Sequence, residues 1–377
     1  MSALQRLPVI ATTLATAAAI LALPNLPAVR SLLARHIGLS APGNIWRIIA
    51  VVLALLNLKV LPFVWHIRIV RGIFKHLYFQ RQVLPPRSLF EPLITSTHTS
   101  LGECDYNLHK SNSTYFSDLD ISRAQLVSCL IKRGLERLNK GDTSGLEGAA
   151  SQVPKAQGKG KAGESYIVAL GGVSCAFKRE IKPFQRYEIW TRVLCWDRKW
   201  LYLVSHIVRK NTVKPIRYTL QPWRRSSSKS PAETEEDVQR ERERIKGAIL
   251  ASSIAKYVVK KGRLTIPPEL VLLRSELLPP RSAPSEPTPP PSGTDTPITG
   301  PLSSPEEALA TLTANADGAE TPRDGRPADG DWTWDAMEKE RLRGLKLAEM
   351  FGALDGLHDE FTGGMDGALG EYADLLW

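Results

Sequence analysis

Two apolar runs open the chain. The first covers residues 7–23, is rich in Ala and Thr, and ends at Pro24. It sits near the lower limit of the roughly 17–25 residues a membrane span needs. The second, residues 45–69, is stronger in Ile, Val and Leu but carries Asn57, Lys59 and Pro62, which weaken it at the centre of a bilayer. Trp46 and Trp65 lie near its ends, where amphipathic rings favour the lipid–water boundary. Hydropathy predicts a hairpin of two spans, or one span with a surface helix. A cleaved leader accounts for the first run but not the second, and an amphipathic, Arg-rich presequence does not fit runs this apolar.

From Pro85 onward the pattern becomes that of a globular domain. Residues 91–101 read as a strand closing at Gly102. A polar turn follows over 103–112, then a helix over 113–138 with Phe116, Leu119, Val127, Leu130, Ile131, Leu135 and Leu138 on one broad face. Residues 139–163, rich in Gly, Lys and Ala, read as a loop. Three β-rich runs come next, 166–178, 187–197 and 200–209, the last two joined by a hairpin-like Trp196-Asp197-Arg198-Lys199. A polar, charged insertion lies near 222–246. Residues 249–260 and 263–266 are a strand pair or a helix edge, which periodicity does not decide. Residues 279–305 hold many of the 27 prolines and cannot bury a core. After them Met337, Leu345, Met350, Phe351 and Leu354 suggest an amphipathic helix that docks on the rest. The organisation expected is therefore a membrane-anchoring region (1–84), a folded domain (85–278), a Pro/Ser/Thr-rich linker (279–331) and a C-terminal helical segment (332–377).

Charge sharpens the reading of the N-terminal part. The net charge of +10 resembles a nucleic-acid signal until it is located. No Asp or Glu precedes Glu91, whereas ten Lys and Arg do, and their removal leaves 39 cations against 39 acids. The excess thus flanks the apolar runs, which suits anionic lipid headgroups and argues against nucleic acid. Arg68, Arg71, Lys75 and Arg81 after the second run favour a cytosolic domain. Cys104, Cys129, Cys175 and Cys195 form no C-x-x-C pair and have no His cluster beside them, so we read them as reduced core thiols and expect no metal.

The candidate chemistry lies at the junction of the first strand and the long helix, where residues 102–115 pack two acids, two Asn and a His into a short turn. Composition alone gives an Asx-type turn with side chains bonded to backbone. The junction also resembles that of hotdog-fold proteins of the 4-hydroxybenzoyl-CoA thioesterase type, in particular the subset containing thioesterase superfamily member 6 and fungal thioesterase-like proteins. That subset carries a pattern like D-x-N-x-H-x-N-N-x-x-Y. Asp105, Asn107, His109, Asn112 and Tyr115 match it, and Ser111 replaces the first of the paired Asn. The resemblance runs on through Val173 to Phe177, Pro183-Phe184, Tyr187-Glu188-Ile189, Trp196-Asp197 and Trp200, and covers residues 89–268.

The resemblance implies an α+β hotdog fold, a long helix wrapped by a curved antiparallel sheet, with homodimers and an acyl-CoA or similar thioester as substrate. It implies that Asp105 attacks the thioester or activates water, with Asn107 and His109 positioning it, and that Asn112, Ser113 and Tyr115 form the oxyanion and substrate contacts. Helix N-termini carry orphan N–H donors that stabilise such an oxyanion. Eleven Lys or Arg against three acids between Lys178 and Arg217 make Lys178, Arg179 and Arg192 candidates for the CoA phosphates, unless they only protect a sheet edge by charge. Each site residue also has a bland alternative: Asp105 as a helix-start acid, His109 as a satisfied structural His, Glu103 as an exposed turn acid. Two rival functions stay open, a non-catalytic acyl-chain or protein-binding module and an enoyl-thioester hydratase. No cofactor is implied. The expected location is the endoplasmic reticulum membrane with the domain in the cytosol, mitochondria being the second choice. Asn112-Ser113-Thr114 is a glycosylation sequon inside the site, where a glycan would obstruct it.

Overall fold

A computed structural model describes residue 31 and residues 44–140, 166–224, 235–281 and 332–358. The first apolar run lies outside them. The second does not form one continuous helix. It breaks into α1 (Asn44–Leu56), a 3-10 turn (Leu58–Val60) and α2 (Val64–Phe74), which runs on through a π turn (Lys75–Phe79). Three residues cause the break. Asn57 folds its Nδ2 back onto the Leu53 carbonyl. Leu61 is extended ahead of Pro62, as residues before proline prefer. Phe63 then takes a left-handed φ of 65°. Among the described residues no helix is long and apolar enough to cross a membrane, so the expected span over 45–69 is not what the chain builds.

The folded domain is one antiparallel sheet with a long helix laid across one face. The sheet comprises β1 (Leu93–His98), β2 (Tyr166–Phe177), β3 (Arg186–Trp196), β4 (Leu201–Arg209), β5 (Ile249–Lys261) and β6 (Leu264–Ile266). Its order is β1-β3-β4-β5-β2, with β6 paired to β5. Residues 249–266, ambiguous by periodicity, are thus strands, because both edges of β5 find partners. The helix α3 (Asn112–Asn139) buries Tyr115, Leu119, Leu126 and Leu130 along one stripe. Those side chains meet Ile189, Val193, Leu203 and Ile207 of the sheet's inner face. Each fully buried Leu or Ile contributes roughly 1.5–3 kcal/mol. The core is divided in the middle by hydroxyls: Ser122 of α3, Thr191 and Ser205 form a chain of hydrogen bonds at 2.8 and 2.9 Å.

Three further helices complete the fold. The polar insertion carries α4 (Glu235–Ala248), leading straight into β5. A short helix with no sequence expectation behind it, α5 (Pro268–Arg274), starts on a proline at its first position and buries Leu270, Val271 and Leu272 against α3. Gly134 of α3 permits this approach, since a Cβ there would lie 2.3 Å from the Val271 carbonyl. The C-terminal helix α6 (Trp334–Gly352) docks on the outer side of β3. It buries Met337, Gly344 and Ala348, whereas Met350 and Leu354, expected to face inward, stay exposed.

Candidate active site

The turn between β1 and α3 owes its shape to Asp105. Its backbone N–H donates to the His109 carbonyl and its carbonyl accepts from Leu108 N–H. Its Oδ1 accepts from the N–H groups of Asn107 (2.9 Å) and His109 (3.3 Å). Leu108 completes the turn with φ 59°. Among the described residues nothing hydrogen-bonds to Oδ2 of Asp105, so one carboxylate oxygen is fixed and the other is available. The chain then enters α3 with Ser111 as N-cap, its N–H held by the Glu103 carbonyl. The N–H groups of Asn112 and Ser113 have no intrahelical acceptor, as in any first turn.

A cleft of about 660 Å³ opens at this point, lined by Asp105, Asn107, His109, Asn112 and Tyr115 on one side and by Phe177, Lys178, Arg179 and Glu180 on the other. The two walls touch where His109 Nε2 lies 3.0 Å from Glu180 Oε2. Tyr115 is buried edge-on to Phe177, and burial together with Cys175 and Glu180 pushes its hydroxyl up to about 12, so it is protonated at neutral pH. Ser113 is exposed and bonded to Ser111 rather than facing the cleft. Arg192 is not part of it: on β3, its Nη1 donates to the Val193 carbonyl and it faces Glu340 of α6 at 3.7 Å. A strand residue at that register belongs to the side of the sheet that α6 covers.

Beneath the turn lies a cluster of buried charges that the sequence reading missed. Glu103, read as an exposed turn acid, is buried; its carboxylate accepts from Ser100 N–H and pairs with Lys110 at 2.9 Å and Lys59 at 2.8 Å. Asp118 of α3 meets Lys59 at 2.8 Å, Arg68 at 2.9 Å and Lys110 at 3.1 Å, and accepts from the Tyr187 hydroxyl. Burial by itself would raise the Asp118 carboxyl, but Lys59 and Lys110 outweigh it and hold the group far below the usual carboxylate range. The same burial lowers Lys59 and, with Asp118 alongside, drives Tyr187 far above the ordinary phenol. Lys59 comes from the α1–α2 connection, which Asn57 also ties down by accepting the Gly102 N–H. The segment read as an anchor is therefore tied to the domain beneath the turn, through Lys59 to Glu103 and Asp118 and through Asn57 to Gly102. One signal was present in the sequence: an Asp beside Leu119 on the helix's apolar face needs a buried partner.

The four cysteines are free thiols. Burial pushes Cys175 up to about 11 and Cys129 and Cys195 to about 12, which removes them as nucleophiles at neutral pH.

A long helix across an antiparallel sheet, with a cleft and an acid at the helix start, defines a hotdog domain of thioesterase type. Residues 99–239 match the Thioesterase-like superfamily. The chain is 34% identical to Probable thioesterase atnL of Emericella nidulans, covering 85% of this chain and 90% of that one. It is 32% identical to Thioesterase poxG of Penicillium oxalicum, over 84% and 86% of the two chains. The protein belongs to this thioesterase-like family. Among solved structures, the Probable Thioesterase YbaW from Escherichia coli aligns with 49% of this chain and 96% of its own at 11% identity, with a TM-score of 0.29.

Proposed function

We propose that this protein hydrolyses an acyl-CoA or similar lipid-like thioester, with Asp105 as the reacting carboxylate. One observation carries the reading: Asp105 lines the cleft at the start of α3 with one oxygen anchored by two backbone N–H groups and the other free of hydrogen bonds among the described residues. In this reading Oδ2 takes a proton from a water whose oxygen bonds to the thioester carbonyl carbon. The carbonyl oxygen, turned negative, is met by the N–H groups of Asn112 and Ser113 and by the positive end of the helix dipole. Collapse of that intermediate breaks the C–S bond, and the departing thiolate takes the proton from Asp105. Direct attack by Asp105 would instead break the C–S bond, release the thiolate and leave a mixed anhydride, and water attacking the aspartyl carbonyl of that anhydride would place solvent oxygen in the carboxylate. Asn107 and His109 shape the turn, His109 by bridging to Glu180. Lys178 and Arg179 supply positive charge on the opposite wall for CoA phosphates.

Several finer assignments go with this reading. The enzyme acts as a homodimer, a view supported by β2, which lies at an end of the sheet order beside the cleft. It works on the cytosolic face of the endoplasmic reticulum membrane, a view supported by the acid-free, cation-rich residues 1–90 and by the sequon at Asn112. The test is release of free thiol from acyl-CoAs of several chain lengths by the full chain and by Asp105→Asn, which keeps the Oδ1 acceptor and removes the charge. Activity in the wild type, lost in the variant, supports the reading. Background-level release with retained acyl-CoA binding would mark a binding module instead. Loss of enoyl absorbance without free thiol would mark a hydratase.

A further inference from the structure

The helix α2 carries apolar side chains on the side away from the domain as well as on the side that packs against it. Its inward side holds the contacts with the domain, with Val64, Ile69 and Ile73 half-buried beside them: Arg68 reaches Asp118, Trp65 donates to the Ser117 carbonyl, and Gly72 lies against Gln125 of α3. Its outward side carries an apolar stripe beside His66 and Arg71. Phe63, Ile67, Val70, Phe74 and Tyr78 are all exposed, between 49% and 74% of their surface. Ile67, Val70 and Phe74, three and four residues apart, form one helical stripe, which Phe63 at the N-cap and Tyr78 in the following π turn extend. Arg71, Lys75 and Arg81, also exposed, lie along the same surface. Just upstream, α1 exposes apolar side chains all along its length, from Ile45 and Trp46 to Leu55 and Leu56.

We infer that α1 and the outward stripe of α2 form an in-plane docking surface for an anionic lipid bilayer. This rests on the membrane location proposed above and specifies its geometry: the region lies in the interface and does not cross it. Three observations select lipid over other occupants. Eleven of the thirteen residues of α1 are apolar, which suits a seat among acyl chains just beneath the headgroups better than the one-sided cover of a protein partner. Over the described residues α1 has 13 residues and is about 20 Å long, short of a hydrocarbon core of about 30 Å. Its C-terminal end is pinned, because Lys59, three residues beyond Leu56, is buried among the carboxylates of the domain. Finally, a second copy seated on the same stripe would set Arg71, Lys75 and Arg81 against their own equivalents. No acid lies before Glu91 to offset them, and isologous contacts require self-complementarity. Apolar stripe plus flanking cations is the chemistry of an interfacial helix on anionic headgroups.

The experiment is flotation of the full chain with phosphatidylcholine vesicles, with and without phosphatidylserine, comparing wild type, Ile67→Glu/Phe74→Glu and Arg71→Gln/Lys75→Gln. The apolar-stripe variant is expected to lose roughly tenfold or more of its binding to both vesicle types. The charge variant is expected to lose on the order of 30-fold for the anionic vesicles alone, from about 1 kcal/mol per cation near an anionic surface. It alters exposed residues only, so it serves if the first variant is misfolded by circular dichroism. Wild-type protein that floats with neither vesicle would overturn the membrane location itself. Wild-type flotation that neither variant weakens would overturn this surface alone and assign the attachment elsewhere, such as residues 7–23. Loss of self-association in sedimentation velocity, with flotation unchanged, would make the stripe a contact between copies and overturn it equally.

Discussion

Replacing Lys59 with methionine tests whether the N-terminal region is structurally part of the site. The change keeps most of the side-chain length and removes the ammonium that contacts Glu103 and Asp118, each at 2.8 Å. At an effective dielectric near 20, each such contact is worth roughly 6 kcal/mol gross. Against this, the variant is spared the cost of burying an ammonium, several kcal/mol. Lys110 and Arg68 also remain to neutralise the two carboxylates. The net expectation is the lower end of the range for breaking a buried pair, about 3 kcal/mol, or a Tm roughly 6–12 °C below wild type for a domain of this size. The measurement is thermal unfolding followed by circular dichroism in mild detergent from pH 7 down to 3. Because Asp118 is held below the usual carboxylate range, its contribution is fully present above about pH 4, the unfolded value, and is lost as pH falls below it. Lys59→Met weakens that hold, so the gap between variant and wild type should be full at pH 7 and narrow below about pH 4. A variant melting within about 1 °C of wild type at pH 7 would refute the claim that this cluster is a single buried unit.

Three other outcomes are expected. Asp105→Asn should lower kcat for thioester hydrolysis by roughly a hundredfold or more while changing Tm little, as measured by thiol release and melting; equal rates would remove Asp105 from the chemistry. Gly344→Ala should loosen α6 by about 1–3 kcal/mol, because its Cβ would come 2.3 Å from the Leu194 carbonyl. Faster amide exchange confined to α6 would show it, and unchanged exchange would refute the contact. Cys129 and Cys195, pushed up to about 12, should be alkylated by iodoacetamide at pH 8 on the order of a thousandfold more slowly than a free thiol, as read by mass spectrometry of the native protein.

The elements that announce themselves in the sequence are those whose burial is periodic. The stripe of α3 and the alternation in β3 and β4 locate those elements within a residue or two, since one buried face leaves a regular trace. The turn around Asp105 was likewise legible as an Asx turn, because its bonds are local, spanning two and four residues. Residues 249–266 were not decidable, because Ile249 to Ile254 sets apolar beside apolar and polar beside polar, and the pairing that makes the segment a strand comes from β2 and β4, far away in the chain. Arg192 shared its basic stretch with Lys178 and Arg179, but strand register separates them across the sheet.

By itself, then, the sequence determined the local matters: which segments could be helix or strand, where the excess positive charge lies, and which acid sits at the start of the long helix. The tertiary structure decided every pairing that spans tens of residues. It brought Lys59 to Asp118 across 59 positions and to Tyr187 across 128. It also turned an apolar run that reads as a membrane span into a broken helix with one residue in the protein interior. The reason is energetic: a lysine is tolerated away from water only where carboxylates await it, and hydropathy along a chain carries no record of what the fold will place beside each residue.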